Sequence, residues 1–117
     1  MINRGEVWWA NIPSAKGAGS APSGRRPVLI IQSDHFNRSR IGTVVVLSLT
    51  SNLRLGQAEG NVYLRGKVTG LDRDSIVNVS QVSTLDKSSL DEIICNLTDT
   101  TMRQIEEGPK MVLGFNC

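Results

Sequence analysis

Two short stretches hold the residues best suited to chemistry. In "GRRPVLIIQ", residues 24 to 32, paired arginines Arg25 and Arg26 stand at the entrance to an apolar run. In "VVVLSLT", residues 44 to 50, a second apolar run closes on the hydroxyl of Thr50. A guanidinium donates in a planar fork and stays charged at any relevant pH, so an arginine pinned at a strand start suits a phosphate. A hydroxyl ending a nearby strand would add a second donor. The plainer readings are a solvated strand-start charge and a hydroxyl bonded to backbone.

Other chemistry is poorly supplied. Among 117 residues there is one histidine, His35, and two cysteines, Cys95 and Cys117, without C-x-x-C spacing. Paired-histidine catalysis is therefore excluded, and a zinc site lacks ligands. No G-x-S-x-G elbow, P-loop or dinucleotide fingerprint is present. Asp72, Asp74 and Asp86 lie among turn residues, where capping and solvation account for them. RNA fits this inventory because it brings its own nucleophile, the 2′-OH. Its cleavage needs a bent backbone, charge stabilisation and proton transfer, and no serine or cysteine nucleophile.

The net charge of +2, from 13 basic and 11 acidic residues, does not argue for nucleic acid by itself. Local clustering of the basic residues would have to do so. A 39% hydrophobic composition over this length predicts one soluble domain spanning residues 1 to 117. "MINRGEVWW" has no signal-like apolar stretch, and no run approaches the ~20 apolar residues of a membrane span. The expected compartment is the cytoplasm, with both thiols reduced and no membrane attachment.

The elements that would position these residues are mostly strands. "GEVWWANI" (5–12) predicts a first strand, with Trp8 and Trp9 on opposite faces, one in the core and one free for base stacking. Residues 13 to 25 form a Gly/Ser/Ala/Pro loop of a length that is usually functional or mobile. Strands follow at 26–32, with Pro27 at the first position, at 42–50, near "NVYL" and at 75–82. "SDHFNRS" predicts one helical turn capped by Ser33 or Asp34. It places His35 on the surface. Residues 51–60 read as a flexible loop, and "TLDKSSLDEIICNL" as a turn or short helix and then a strand near 92–96. "TDTTMRQIEEG" predicts a helix stopped by Gly108-Pro109, with "KMVLGF" as a last strand. The fold class is mainly β: a small antiparallel barrel with a late helix and one or two helical turns.

In that order, "RGEVWWANI", "RPVLIIQSDHFN", "VVVLSLT", "LDRDSIVNVSQVSTLDK" and a final helix resemble the MazF/PemK family of toxins from toxin–antitoxin pairs. The resemblance runs from Arg4 to Phe115. It implies an SH3-like barrel, a homodimer, an antitoxin partner and a metal-independent endoribonuclease without cofactor. Such an enzyme cuts single-stranded RNA at short sequences, leaving 2′,3′-cyclic phosphate and 5′-OH ends. The family's catalytic arginine falls on Arg26 and its threonine on Thr50. An offset between residues 38 and 49 would move the latter role to Ser48 or Thr43. Ser75 and Gln81 match residues near the substrate, while Arg25, Lys16 and Trp9 offer charge and stacking to RNA or to an acidic antitoxin segment. A related toxin group with this barrel poisons DNA gyrase, which leaves a non-catalytic inhibitor of gyrase as the alternative.

Overall fold

The computed structural model of the chain describes residues 1–13 and 24–115. Six strands form one sheet: β1 (Glu6–Ile12), β2 (Gly24–Ile30), β3 (Thr43–Thr50), β4 (Val62–Leu64), β5 (Ser75–Asp86) and β6 (Leu90–Asn96). Their order is β4-β5-β3-β2-β1-β6, every pairing is antiparallel, and the sheet curls into a half-barrel. The short helices α1 (Asp34–Asn37) and α2 (Gly66–Thr69) and the long α3 (Asp99–Leu113) decorate it. The mainly-β class read from the sequence is the one observed.

The central strands read as apolar without alternation because both of their faces are buried. On one face Val7, Leu29, Leu47 and Leu49 pack with Val62, Val77 and Val79 and with Met102 and Ile105 of α3. On the other, Ala10, Val28, Ile30, Val44, Val46 and Leu85 form a second cluster, covered by Trp8, Ile12 and Leu90. Trp8 is thus the core indole of the pair, and its Nε1 donates to the buried Glu6 carboxylate at 3.0 Å.

Several boundaries differ from the sequence reading. β2 begins at Gly24 and not at Arg26, so Pro27 lies inside it, opposite Trp9. The missing N–H is tolerated there because pairing with β3 starts only at Val28. β5 continues to Asp86, and the 51–60 loop contains a 3₁₀ turn at Leu53–Gln57, capped by the Asn52 side chain. The largest difference is at the C-terminus. Gly108-Pro109 does not stop α3, and "KMVLG" is not a strand: the helix runs through both to Leu113. Its end is a Schellman motif at Gly114 (φ 78°), with Phe115 N donating to Lys110 O at 2.8 Å and Gly114 N to Met111 O at 3.3 Å.

Helix α1 is held from outside itself. Ser33 makes no capping bond; the Asp34 carboxylate instead accepts from Arg4 N at 2.7 Å and from Asn37 Nδ2 at 3.1 Å. The Arg4 N–H, then the Asn37 amide, hold the Asp34 carboxyl below its ordinary range. A depressed pKa contributes stability above the unfolded value that is lost as pH falls through the folded one. Asp34→Asn is therefore expected to be less stable than the parent at pH 7. Urea midpoints should converge as the pH drops below about 4; a gap of equal size at both pH values would contradict this account.

Candidate nucleic-acid interface

β2 delivers two adjacent arginines to the sheet's end. The β2–β3 register pairs Val28 with Ser48 and Ile30 with Val46. Arg26 stands two residues before Val28 on β2 and Thr50 two residues after Ser48 on β3, at the same end of the two antiparallel strands. Strand alternation gives both residues the face of Val28, Ile30, Val44 and Val46. Thr50 Oγ1 accepts from Asn52 N at 3.1 Å, which leaves its own proton available to a ligand oxygen. The two alternative hydroxyls lack this placement. Ser48 is buried, its Oγ unpartnered among the described residues, and Thr43 stands at the far end of β3, seven residues or about 23 Å away.

A cavity of about 750 Å³ opens beside these strand ends. Of the sequence-derived candidates it gathers Trp9, Arg25, Arg26 and Ser75. Thr50 is not among its lining residues, although its neighbours Leu49 and Ser51 are. Gln81 does not line it either. That residue sits in the bulge where the β3–β5 register jumps from Leu47↔Val82 to Ser48↔Asn78. Lys16 lies outside the described residues, as do Cys117 and most of the 13–25 loop. His35 is exposed on α1, against the edge of Phe36. Burial pushes the Cys95 thiol up from its ordinary pKa, which favours the inert thiol form.

Three charged lining residues were not singled out as site candidates from the sequence: Asp72, Arg73 and Glu92. The first two belong to a turn that the sequence analysis read only as turn chemistry. That turn is pinned by Asp74, which accepts from the Tyr63 hydroxyl and from Gly66 N at 2.7 Å. The Tyr63 hydrogen bond, followed by the Gly66 N–H, lowers the Asp74 pKa. α2 also needs its glycine, since a Cβ on Gly66 would lie 2.8 Å from Leu71 O. The wall thus carries three arginines, Arg25, Arg26 and Arg73, against two carboxylates, Asp72 and Glu92. Such a surface attracts an anion at one part and can accept from a hydrogen-bond donor at another. Among the described residues no cluster of three potential metal ligands occurs, and no helix is long and apolar enough to cross a membrane.

Residues 3–113 match the model of the PemK-like, MazF-like toxins of type II toxin–antitoxin systems. The chain belongs to this family. It is 41% identical over 115 residues to endoribonuclease MazF2 of Mycobacterium bovis and, equally, to endoribonuclease MazF6 of Mycobacterium tuberculosis, covering 98% of this chain and 99% of each relative. The fold matches that of MazF from Deinococcus radiodurans with a TM-score of 0.79 at 20% identity, over 97% of this chain and 96% of the other. A mycobacterial endoribonuclease solved with its cognate antitoxin matches with a TM-score of 0.70 at 23% identity, over 97% and 93%. For a PemK/MazF-like chain, an open cavity edged by arginines at one end of the sheet is the natural place to look for the site.

Proposed function

We propose that this chain is the toxin of a type II toxin–antitoxin pair and a metal-independent, sequence-specific endoribonuclease acting on single-stranded RNA. The reading is carried by Arg26 and Thr50, which stand at the same end of the antiparallel β2 and β3, with Arg26 on the wall of a cavity edged by arginines. The names of the 41%-identical relatives support it. In the reaction the substrate's 2′-OH attacks its own phosphorus. A 2′ O–P bond forms as the 2′-OH loses its proton to solvent, and the P–O5′ bond breaks as the leaving O5′ takes a proton from solvent. The ends are a 2′,3′-cyclic phosphate and a 5′-OH. Arg26 neutralises the charge that gathers on the non-bridging oxygens, and Thr50 donates to the scissile phosphate. Arginine is a poor general acid at its ordinary pKa, so charge stabilisation is its main role. Arg25, Trp9, Ser75, Gln81 and Lys16 contact the rest of the RNA. Two copies pair as a homodimer in the cytoplasm, and an acidic antitoxin segment covers the same basic surface until it is removed.

Purified protein incubated with one long RNA in EDTA is expected to cut at a short recurrent sequence and to leave 5′-OH ends that accept phosphate from a kinase. Intact RNA, or cutting only after a divalent metal is added, would show the reading to be wrong.

A further inference from the structure

Arg25 and Arg26 are neighbours on one strand, yet their surroundings differ. Arg25 Nε and Nη2 both donate to Asp91 Oδ2, each at 3.2 Å, so a carboxylate already occupies the edge of the guanidinium that grips oxyanions best. Its Cζ also lies over the Trp9 ring, 4.5 Å from the centroid. The side chain nonetheless remains 44% exposed. A phosphate approaching the occupied edge would meet the Asp91 charge. A base approaching from the exposed side would meet a cation held between a carboxylate and an indole.

We infer that Arg25 is a stacking platform for an RNA base, held flat by Trp9 and Asp91, and not a phosphate clamp; this rests on the RNA-cleaving reading above. Arg26 takes the scissile phosphate, and Arg25 fixes a nucleotide beside it. Asp91 is then a positioning residue: it cancels the charge of Arg25 towards phosphate and leaves the plane to the base. A base stacked this way is recognised through its π-face, so the contact sets affinity and register more than sequence preference.

The salt dependence of binding separates the two roles, because each phosphate contact contributes about 0.7 to the log–log slope for a single strand. The probe is a fluorescein-labelled 2′-O-methyl oligonucleotide, which cannot be cut, followed by anisotropy across a potassium chloride series. Arg25→Ala should bind about tenfold more weakly at every salt concentration, with the parent slope. Arg25→Lys, which keeps the charge and loses the plane, should bind as Arg25→Ala does. Asp91→Asn should steepen the slope by about 0.7 as the freed edge takes a phosphate. A slope shallower by about 0.7 in Arg25→Ala would make the residue a phosphate clamp and overturn the inference. Unchanged affinity in Arg25→Ala, parent-like binding by Arg25→Lys, or a parent slope in Asp91→Asn would also overturn it. Normal RNA cutting by the parent alongside any of these results sinks this inference alone. A parent chain that neither binds nor cuts RNA sinks the functional reading first.

Discussion

Arg26→Ala is expected to cut RNA at least about 100-fold more slowly than the parent chain while keeping its fold, the loss that follows removal of one preorganised donor from a developing oxyanion. The size comes from the difference between ground and transition state. A phosphodiester carries one negative charge and its phosphorane more, so a fixed cation stabilises the second state by more than the first. Preorganisation is what the strand supplies: β2 is hydrogen-bonded to β1 through Ala10↔Arg26 and buried from Val28 onward. The side chain is exposed at the strand's outer end, so truncation opens no cavity in either core cluster. Thermal unfolding should therefore stay close to the parent's while single-turnover cleavage collapses. Arg26→Lys keeps a charge without the fork and should fall between the two. A loss below tenfold for Arg26→Ala would assign the phosphate charge elsewhere, with Arg73 the next candidate on the cavity wall.

Much of this arrangement is legible in the chain because each signal is local. The apolar runs "PVLII" and "VVVLSL" carry no alternation because β2 and β3 are covered on both sides, and the arginine and threonine at their ends are simply the first and last residues to leave that cover. Asp91 was not legible. Its partner Arg25 is 66 positions away, and only the β6-β1-β2 order brings the two together. The same holds for Glu92 and Arg73, which reach the cavity through the curl of the sheet and the turn that Asp74 holds. Gln81 shows the converse limit. The resemblance makes it a candidate for the substrate side, but it lies in the bulge where the register jumps between Leu47 and Ser48, which shifts side chains in a way that no residue pattern announces.

The misread glycine in α3 leads to the largest expected effect on stability. Gly108-Pro109 looks like a helix stop, yet the glycine is inside the helix for a packing reason. A Cβ built there would lie 2.5 Å from Val79 Cγ1 and 2.8 Å from Gly60 O. Gly60 itself sits at φ 86°, and its own ideal Cβ would be 3.1 Å from the Gly108 Cα, so two glycines let α3 lie directly on the loop before β4. Gly108→Ala gains about 1 kcal/mol of helix propensity. Against that, the new methyl must displace a buried valine and a backbone carbonyl, and overpacking of this kind costs about 1–3 kcal/mol and occasionally more. Because the obstacle is partly backbone, the upper end applies, and a net destabilisation of about 2 kcal/mol is expected in urea unfolding. Val79→Ala removes the Cγ1 obstacle and leaves the Val79 Cβ position, 2.8 Å from the new methyl. The double variant Gly108→Ala/Val79→Ala should therefore be more stable than the two single effects add up to but still less stable than the parent. If Gly108→Ala were instead more stable than the parent, helix propensity would outweigh contact, and the close approach of α3 would not be what this glycine is for.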